Sequence, residues 1–446
     1  MRGESPPSGR TGAAGLMTVP SSGVRLAGIE GLRALAATSI VVVHVWGFST
    51  PGGALGSRYW IGNAMSSLAV GVTLFFTLSG FLLYRPFAAS IARGVPHMPI
   101  RAYLRNRVLR IAPAYWVILA ISALVIGAAN VRDASGTLET GWLTHPVSLL
   151  QSVLLLQDYR PSTMVIGIGP AWSLAVEVVF YCILPLLVLA AARAARLVDD
   201  RRGRVLVLLG PPLLLLCVGL SGKYAAHLLP GSPLAGYKND WHSVIERSFW
   251  AQADLFSFGM VVAVIYTEVS DGRLVLPLHW RRLTVGLGLL VFLPCAATIH
   301  QGEQSYLVQN TGEALGIALL FAALMLPDPA TTKPLRAVRV LEARPFVAVG
   351  LASYSLFLWH HPVINWLVNH NLTLRGPGGL VVNFLIVGSI AGALSALTYV
   401  FIELPALRRK RSTRRAAVPE PAAVTPREPD EAVAVSTAPA IPQSQA

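Results

Sequence analysis

A chain of 446 residues that is 54% hydrophobic and only 13% charged, with a mean hydropathy of +0.57, carries more apolar surface than a soluble domain of this length can bury. Its formal net charge of +14 would suit a nucleic-acid binder, but the basic residues gather in alternate connections between apolar runs, as in the cytoplasmic loops of a membrane protein. Cys182, Cys217 and Cys295 all fall inside apolar runs, so neither a disulfide framework nor a thiolate metal site is supported.

Residues 1–27 mix Gly, Ser, Pro and Arg without an apolar stretch. They read as a disordered cytoplasmic segment without a cleavable signal peptide, and the first span then serves as the insertion signal. Apolar runs of bilayer-crossing length, about 17–25 residues, fall near 31–50, 66–84, 112–130, 170–192, 204–221, 249–268, 283–299, 309–327, 346–367 and 378–403. Val147 to Leu156 is too short to cross and reads as re-entrant or interfacial. Basic excess recurs at Arg85 to Arg110, Arg193 to Arg204, Lys333 to Arg344 and Arg408 to Arg415, while the intervening connections are poor in Lys and Arg. Both termini are therefore expected in the cytoplasm. The predicted fold is an all-α polytopic membrane protein over residues 28–409, with about ten transmembrane helices, in a bacterial plasma membrane. Residues 410–446 continue as a disordered tail, basic and then Pro/Ala-rich, with its basic head against anionic lipid. No soluble catalytic domain is attached, so chemistry is expected within the membrane domain.

Arg33 and His44 lie eleven residues apart in the first run, GLRALAATSIVVVHVWGF. At about 100° per residue they share nearly one helix face, roughly 16 Å apart along the axis. Ionisable residues within spans are costly and point to function. With the orientation above, His44, Glu177, Asp254, Glu313, His360 and His361 all fall in the outer half of the membrane, which suggests a shared cavity opening outward. At the inner side, RAYLRNRVLRIAPAYW places Arg107 and Arg110 on one face, and with Arg101, Arg105 and Arg33 they can form a basic mouth. Guanidinium groups suit phosphate, although lipid-headgroup anchoring explains the same charges. Together the halves suggest a polyphosphate-bearing co-substrate from the cytoplasm and an acceptor from outside. A coenzyme A thioester fits, its nucleotide on the arginines and its arm reaching His44 through one continuous passage. No Walker or Rossmann glycine pattern competes.

His44 is the candidate general base, against a packing histidine bonded to a backbone carbonyl. Glu177, four residues after Ser173 in PAWSLAVEVVFY, is the candidate to orient His44, against a buried carboxyl that fixes helix register. Ser173 lacks a nucleophile elbow and reads as a hydrogen-bond donor or helix cap. Ser79 beside Gly80 reads as close helix packing. His360, Asp254 and Glu313, with Trp172 and Tyr181, are the expected acceptor lining; for His360 an interfacial anchor beside Trp359 and a helix end at Pro362 explain the position as well. Glu403 in FIELPALRR is expected to pair with Arg408 or its neighbours.

The arginine–histidine spacing, FFTLSGFLL, RNRVLRIAPAYW, PAWSLAVEVVFY, ASYSLFLWHHPV and FIELPALRR, in this order from about Gly28 to Arg409, resemble the acyltransferase-3 family of integral membrane O-acyltransferases. The resemblance implies ten membrane helices and transfer of an acyl group from cytoplasmic acyl-CoA, a co-substrate rather than a tightly bound cofactor, to a hydroxyl, often on a sugar. It makes His44 and Arg33 the catalytic pair, Glu177 and Ser173 their partners, and Arg107 and Arg110 acyl-CoA contacts, with Arg105 beside them. No metal is implied. Many members follow the glutamate with an acid and an amide, whereas Val178 and Val179 stand here, which leaves the substrate subfamily open. Many also carry an extracytoplasmic hydrolase-like domain; without one, direct transfer within the membrane domain is expected. The expected acceptor is a hydroxyl of a cell-envelope glycan or glycolipid, and the alternative is a macrolide or other small glycosylated metabolite. A transporter of a polar solute is the alternative of another class, and no half-to-half similarity favours it.

Overall fold

The computed structural model describes residues 26–49, 65, 67–133, 135–230, 239–298, 305–328 and 335–409. The two expected disordered segments lie almost wholly outside these residues. Long helices dominate, in the order α1 (Ile29–Ser49), α2 (Gly71–Arg93), α3 (Ile100–Ala120), a hairpin of β1 (Ala129–Arg132) and β2 (Leu138–Gly141), α4 (Pro146–Val153), α5 (Trp172–Ala194) and α6 (Arg201–His227). There follow α7 (Trp241–Glu246), α8 (Phe249–Ser270), α9 (Trp280–Thr298), α10 (Ser305–Met325), α11 (Arg336–Leu341), α12 (Arg344–Leu351), α13 (Ser353–Asn369) and α14 (Pro377–Thr398).

Among the described residues, eight helical stretches are individually long and apolar enough to cross a bilayer. The pair α12 and α13, bent by 71° at Ala352, makes a ninth. The 21-residue α10, packed along α9, occupies the place of the run expected at 309–327. The chain is an all-α polytopic membrane protein.

Two local departures have clear causes. The third span was expected to run to residue 130, but α3 ends in a π-helical turn, Ile121–Val125, and Gly127 at φ +58° releases the chain into the hairpin. Its tight turn is held by Asp133, whose Oδ1 accepts the backbone N–H groups of Ser135 and Thr137. The short apolar piece at 147–156 forms the eight-residue α4, pinned to α3 by Tyr115, which donates to Ser152 O at 2.6 Å, and Trp116, which donates to Val153 O at 3.0 Å.

The centre is a three-helix crossing. Phe256 of α8 stacks on Phe76 of α2 at 4.6 Å and on Phe180 of α5 at 4.2 Å. A Cβ on Gly80 would lie 2.2 Å from Phe256 O, and one on Gly259 would lie 2.0 Å from Thr77 O, so α2 and α8 cross with backbones in contact. That crossing sets the rotation of α2 and turns the adjacent Ser79 toward α5.

Candidate active site

A cavity of about 150 Å³ lies among α1, α2, α3, α5 and α13. Arg33, Arg107 and Arg110 line it together with Ser79, Ser173, Glu177 and Tyr181.

Each arginine is held differently. Arg33 reaches Glu30 at 3.4 Å, one turn before it. Arg110 pairs with Glu403 at 3.1 Å, and Glu403 also accepts from Ser355 Oγ at 2.5 Å. Glu403 was expected to pair with Arg408 or its neighbours; instead the π-helical turn Tyr399–Glu403 at the end of α14 directs the carboxylate into the bundle. Arg107 sits 5.7 Å from the ring centres of both Tyr103 and Tyr181. Arg107 Nε and Arg110 Nη2 are buried without a hydrogen-bond partner. Arg101 and Arg105 are exposed and do not line the cavity, because the helical period puts them on other faces from Arg107 and Arg110. Tyr181, expected on the acceptor side, belongs with Arg107.

Glu177 does not meet His44. Its Oε1 accepts from Ser79 Oγ at 2.6 Å, and Tyr181 also interacts with its carboxyl. The residue read as helix packing is thus the glutamate's partner, while Gly80 alone makes the close crossing. Ser173 donates to Pro170 O at 3.0 Å, one turn back, as a local hydrogen-bond donor and not as a helix cap.

His44 lies in a cluster of three imidazoles. Its ring is 5.0 Å from His360 and 5.7 Å from His361. His44 Nδ1 is 2.8 Å from Ile40 O and 3.3 Å from His360 Nε2. His361 Nδ1 is buried without a hydrogen-bond partner. Among the described residues no group of His, Cys, Asp or Glu is arranged to hold a metal ion. His44 is not among the residues that line this cavity, whereas Phe75 and Phe357 are. Phe357, which lines the cavity, stands 5.9 Å from the His360 ring and 6.1 Å from Phe75. This aromatic pair links the cavity lining to the histidine cluster.

Trp172 has a partner that was not foreseen: the Arg247 guanidinium lies over its ring at 4.6 Å. The Arg247 charge also acts on His44 and on Asp158. A basic residue on a connection expected to be poor in Lys and Arg was the available signal for it. Asn365 of α13 donates to Asn130 Oδ1 at 2.9 Å, and Asn130 donates to Val165 O at 3.0 Å, which ties the outer segment to the helix of His360.

Within that segment, Asp158 Oδ1 accepts from Val165 N at 3.0 Å. Burial pushes its carboxyl up to about 6, against the opposing Val165 hydrogen bond and Arg247 charge. Folding therefore favours the protonated acid: the stability it contributes is complete below the unfolded value near 3.8 and is lost as the pH rises through about 6. Hydrogen exchange at the Val165 amide is expected to quicken between about 3.8 and about 6 on the pH scale, beyond its intrinsic pH dependence, with D158N removing the excess; an unchanged excess in D158N would show that another group controls the segment.

Asp254 and Glu313 do not join the histidines. Asp254 is fully buried, bonded through Oδ2 to the Lys223 ammonium and to Thr311 Oγ1. Lys223 also donates to Thr311 at 2.7 Å. Glu313, 1% exposed, lies within the electrostatic reach of Lys223. The residues expected in one outer cavity thus fall into three groups, the histidines, Glu177 with Ser79, and the polar core enclosed by α6, α8 and α10. Lys223, at the outer end of α6, was missed because a lysine at a span end ordinarily reaches water.

The bundle and its buried polar interior define a multi-pass membrane protein with arginines and imidazoles among its helices. The chain belongs to the acyltransferase-3 family: the family's acyltransferase domain matches residues 26–401. It is a membrane acyltransferase. The chain is similar to Nodulation protein 10 of Rhizobium leguminosarum bv. viciae, at 25% identity over 396 residues, 85% of this chain and 93% of that protein. It is similar to the O-acetyltransferase OatA of Staphylococcus aureus, at 22% identity over 397 residues, 86% of this chain and 57% of OatA. It is also similar to the putative peptidoglycan O-acetyltransferase YrhL of Bacillus subtilis, at 24% identity over 355 residues, 76% of this chain and 48% of YrhL. The chain thus spans about half the length of the last two. No solved structure matches it.

Proposed function

We propose that the protein moves an acetyl or short acyl group from acyl-CoA to a hydroxyl of a cell-envelope glycan or glycolipid. The observation that carries this reading is the pair of buried, unpartnered N–H groups, Arg107 Nε and Arg110 Nη2, at the narrow cavity. Buried guanidinium donors without acceptors are costly, and a phosphate at the mouth would satisfy them with forked, charge-assisted bonds. The nucleotide stays at that mouth while the slender arm enters between Arg33 and Glu177. Phe357, which lines the cavity and stands 5.9 Å from the His360 ring, lies on the way from the arginines to His44.

In the transfer, His44 Nε2 takes the proton of the acceptor hydroxyl as its oxygen attacks the thioester carbon. The new O–C bond forms, the C–S bond breaks with its electron pair on sulfur, and the proton finally goes to the thiolate. The names O-acetyltransferase and peptidoglycan O-acetyltransferase carried by two relatives support acetyl as the group and a glycan as the acceptor.

Purified protein in proteoliposomes should release coenzyme A from acetyl-CoA and acetylate soluble peptidoglycan fragments, which mass spectrometry detects. Removing the charge in R107A/R110A is expected to raise the KM for acetyl-CoA by about 10²-fold, at about 1.5–3 kcal/mol per hydrogen bond to a charged group. An unchanged KM in folded protein would exclude the arginines as the donor site.

A further inference from the structure

We infer that His360 is the positioning residue that holds His44 in its basic tautomer, the place expected of Glu177. The inference rests on the reading of His44 as general base and adds how that base is prepared.

Carbonyl oxygens only accept hydrogen bonds, so the two nearest ones assign the protons. His360 Nδ1 lies 3.2 Å from Leu356 O, one turn back in α13, and therefore carries a hydrogen. His360 Nε2 then bears a lone pair. His44 Nδ1 lies 2.8 Å from Ile40 O and likewise carries a hydrogen, which it shares with His360 Nε2 at 3.3 Å. Both requirements agree, and they leave His44 Nε2 with its lone pair outward. No described residue hydrogen-bonds that atom.

Burial explains why a neutral ring takes this place. His360 is 0% exposed, and the α1 face beside His44 carries the buried Val41 and Val45. An ionised carboxylate there would cost far more desolvation than an imidazole. The other charged or titratable groups around the pair are His361 and Arg247, and neither bonds to His44. When His44 Nε2 accepts the hydroxyl proton, the Nδ1–H bond to His360 becomes charge-assisted and about twice as strong. His360 keeps its own proton throughout and makes no covalent bond; the acceptor proton passes from oxygen to His44 Nε2 and then to sulfur.

The test compares H360A and H360Q for transfer from acetyl-CoA to soluble peptidoglycan fragments, with kcat and KM read separately. H360A is expected to lose about 10²-fold in kcat, with the KM for acetyl-CoA within about twofold. H360Q retains an acceptor oxygen and should recover at least about tenfold of the loss. Folded H360A within about threefold of wild type, or H360Q no better than folded H360A, overturns the proposal. If H360A does not fold, H360Q decides alone: a loss within about tenfold supports the role and a larger one overturns it. Histidine ¹⁵N shifts give a readout independent of turnover. Wild-type His44 should show a protonated Nδ1 and an unprotonated Nε2, and H360Q should preserve that form; the opposite tautomer in wild type overturns the assignment. A wild-type protein that transfers nothing would count against the proposed function, while these shifts would still decide the pair.

Discussion

Alanine at position 44 should abolish measurable transfer while the bundle remains intact. General-base catalysis contributes about 10²–10⁴-fold, and the scaffold depends little on this ring. Among the described residues His44 bonds only to Ile40 O of its own helix and to His360. Loss of such bonds costs about 0.5–1.5 kcal/mol each, so H44A should unfold within a few degrees of wild type in detergent. Coenzyme A release from acetyl-CoA in proteoliposomes measures the first part, and thermal unfolding measures the second. Folded H44A that keeps a tenth of the wild-type rate would remove the imidazole from the chemistry.

The largest effect on stability is expected far from that ring, at Asp254. Its carboxylate and the Lys223 ammonium are enclosed at 0% and 2% exposure, with Thr311 bonded to both. Removing one partner leaves the other charge buried, which costs about 3–5 kcal/mol. D254A should therefore lower the detergent unfolding temperature sharply, whereas K223M/D254L, which removes both charges, should recover most of the loss. The activity per folded molecule should hold in the double variant, because neither residue lines the cavity or touches the histidines. A double variant no more stable than D254A would show that the site needs its polarity and not only its charge balance.

These two sites differ in how far they could be read from the chain. His44 is conspicuous as an ionisable group in a Val-rich run, and its depth follows from the alternating basic connections. Asp254 is equally conspicuous, yet its counter-ion is a lysine that the sequence places at a span end, where it would ordinarily reach water. Arg247 shows a third case: it is one of three basic residues, with Lys223 and Lys238, on its connection, and nothing local reveals that it lies over Trp172.

Along one helix, spacing is informative because 3.6 residues per turn decide which side chains share a face. Thus Arg107 with Arg110, and Ser173 with Glu177, were correctly grouped from sequence and together line the cavity. Hydropathy likewise determined the membrane class and nearly every span, since a bilayer admits little besides helices of sufficient apolar length. Which neighbour a face meets is a different matter, set by helix rotation and crossing. The backbone contacts at Gly80 and Gly259 turn Ser79 to Glu177, the π-helical turn at Tyr399–Glu403 directs Glu403 to Arg110, and the approach of α13 to α1 sets His360 against His44. Those pairings bring together residues 98, 293 and 316 positions apart, and packing between helices, not periodicity within one, decides them.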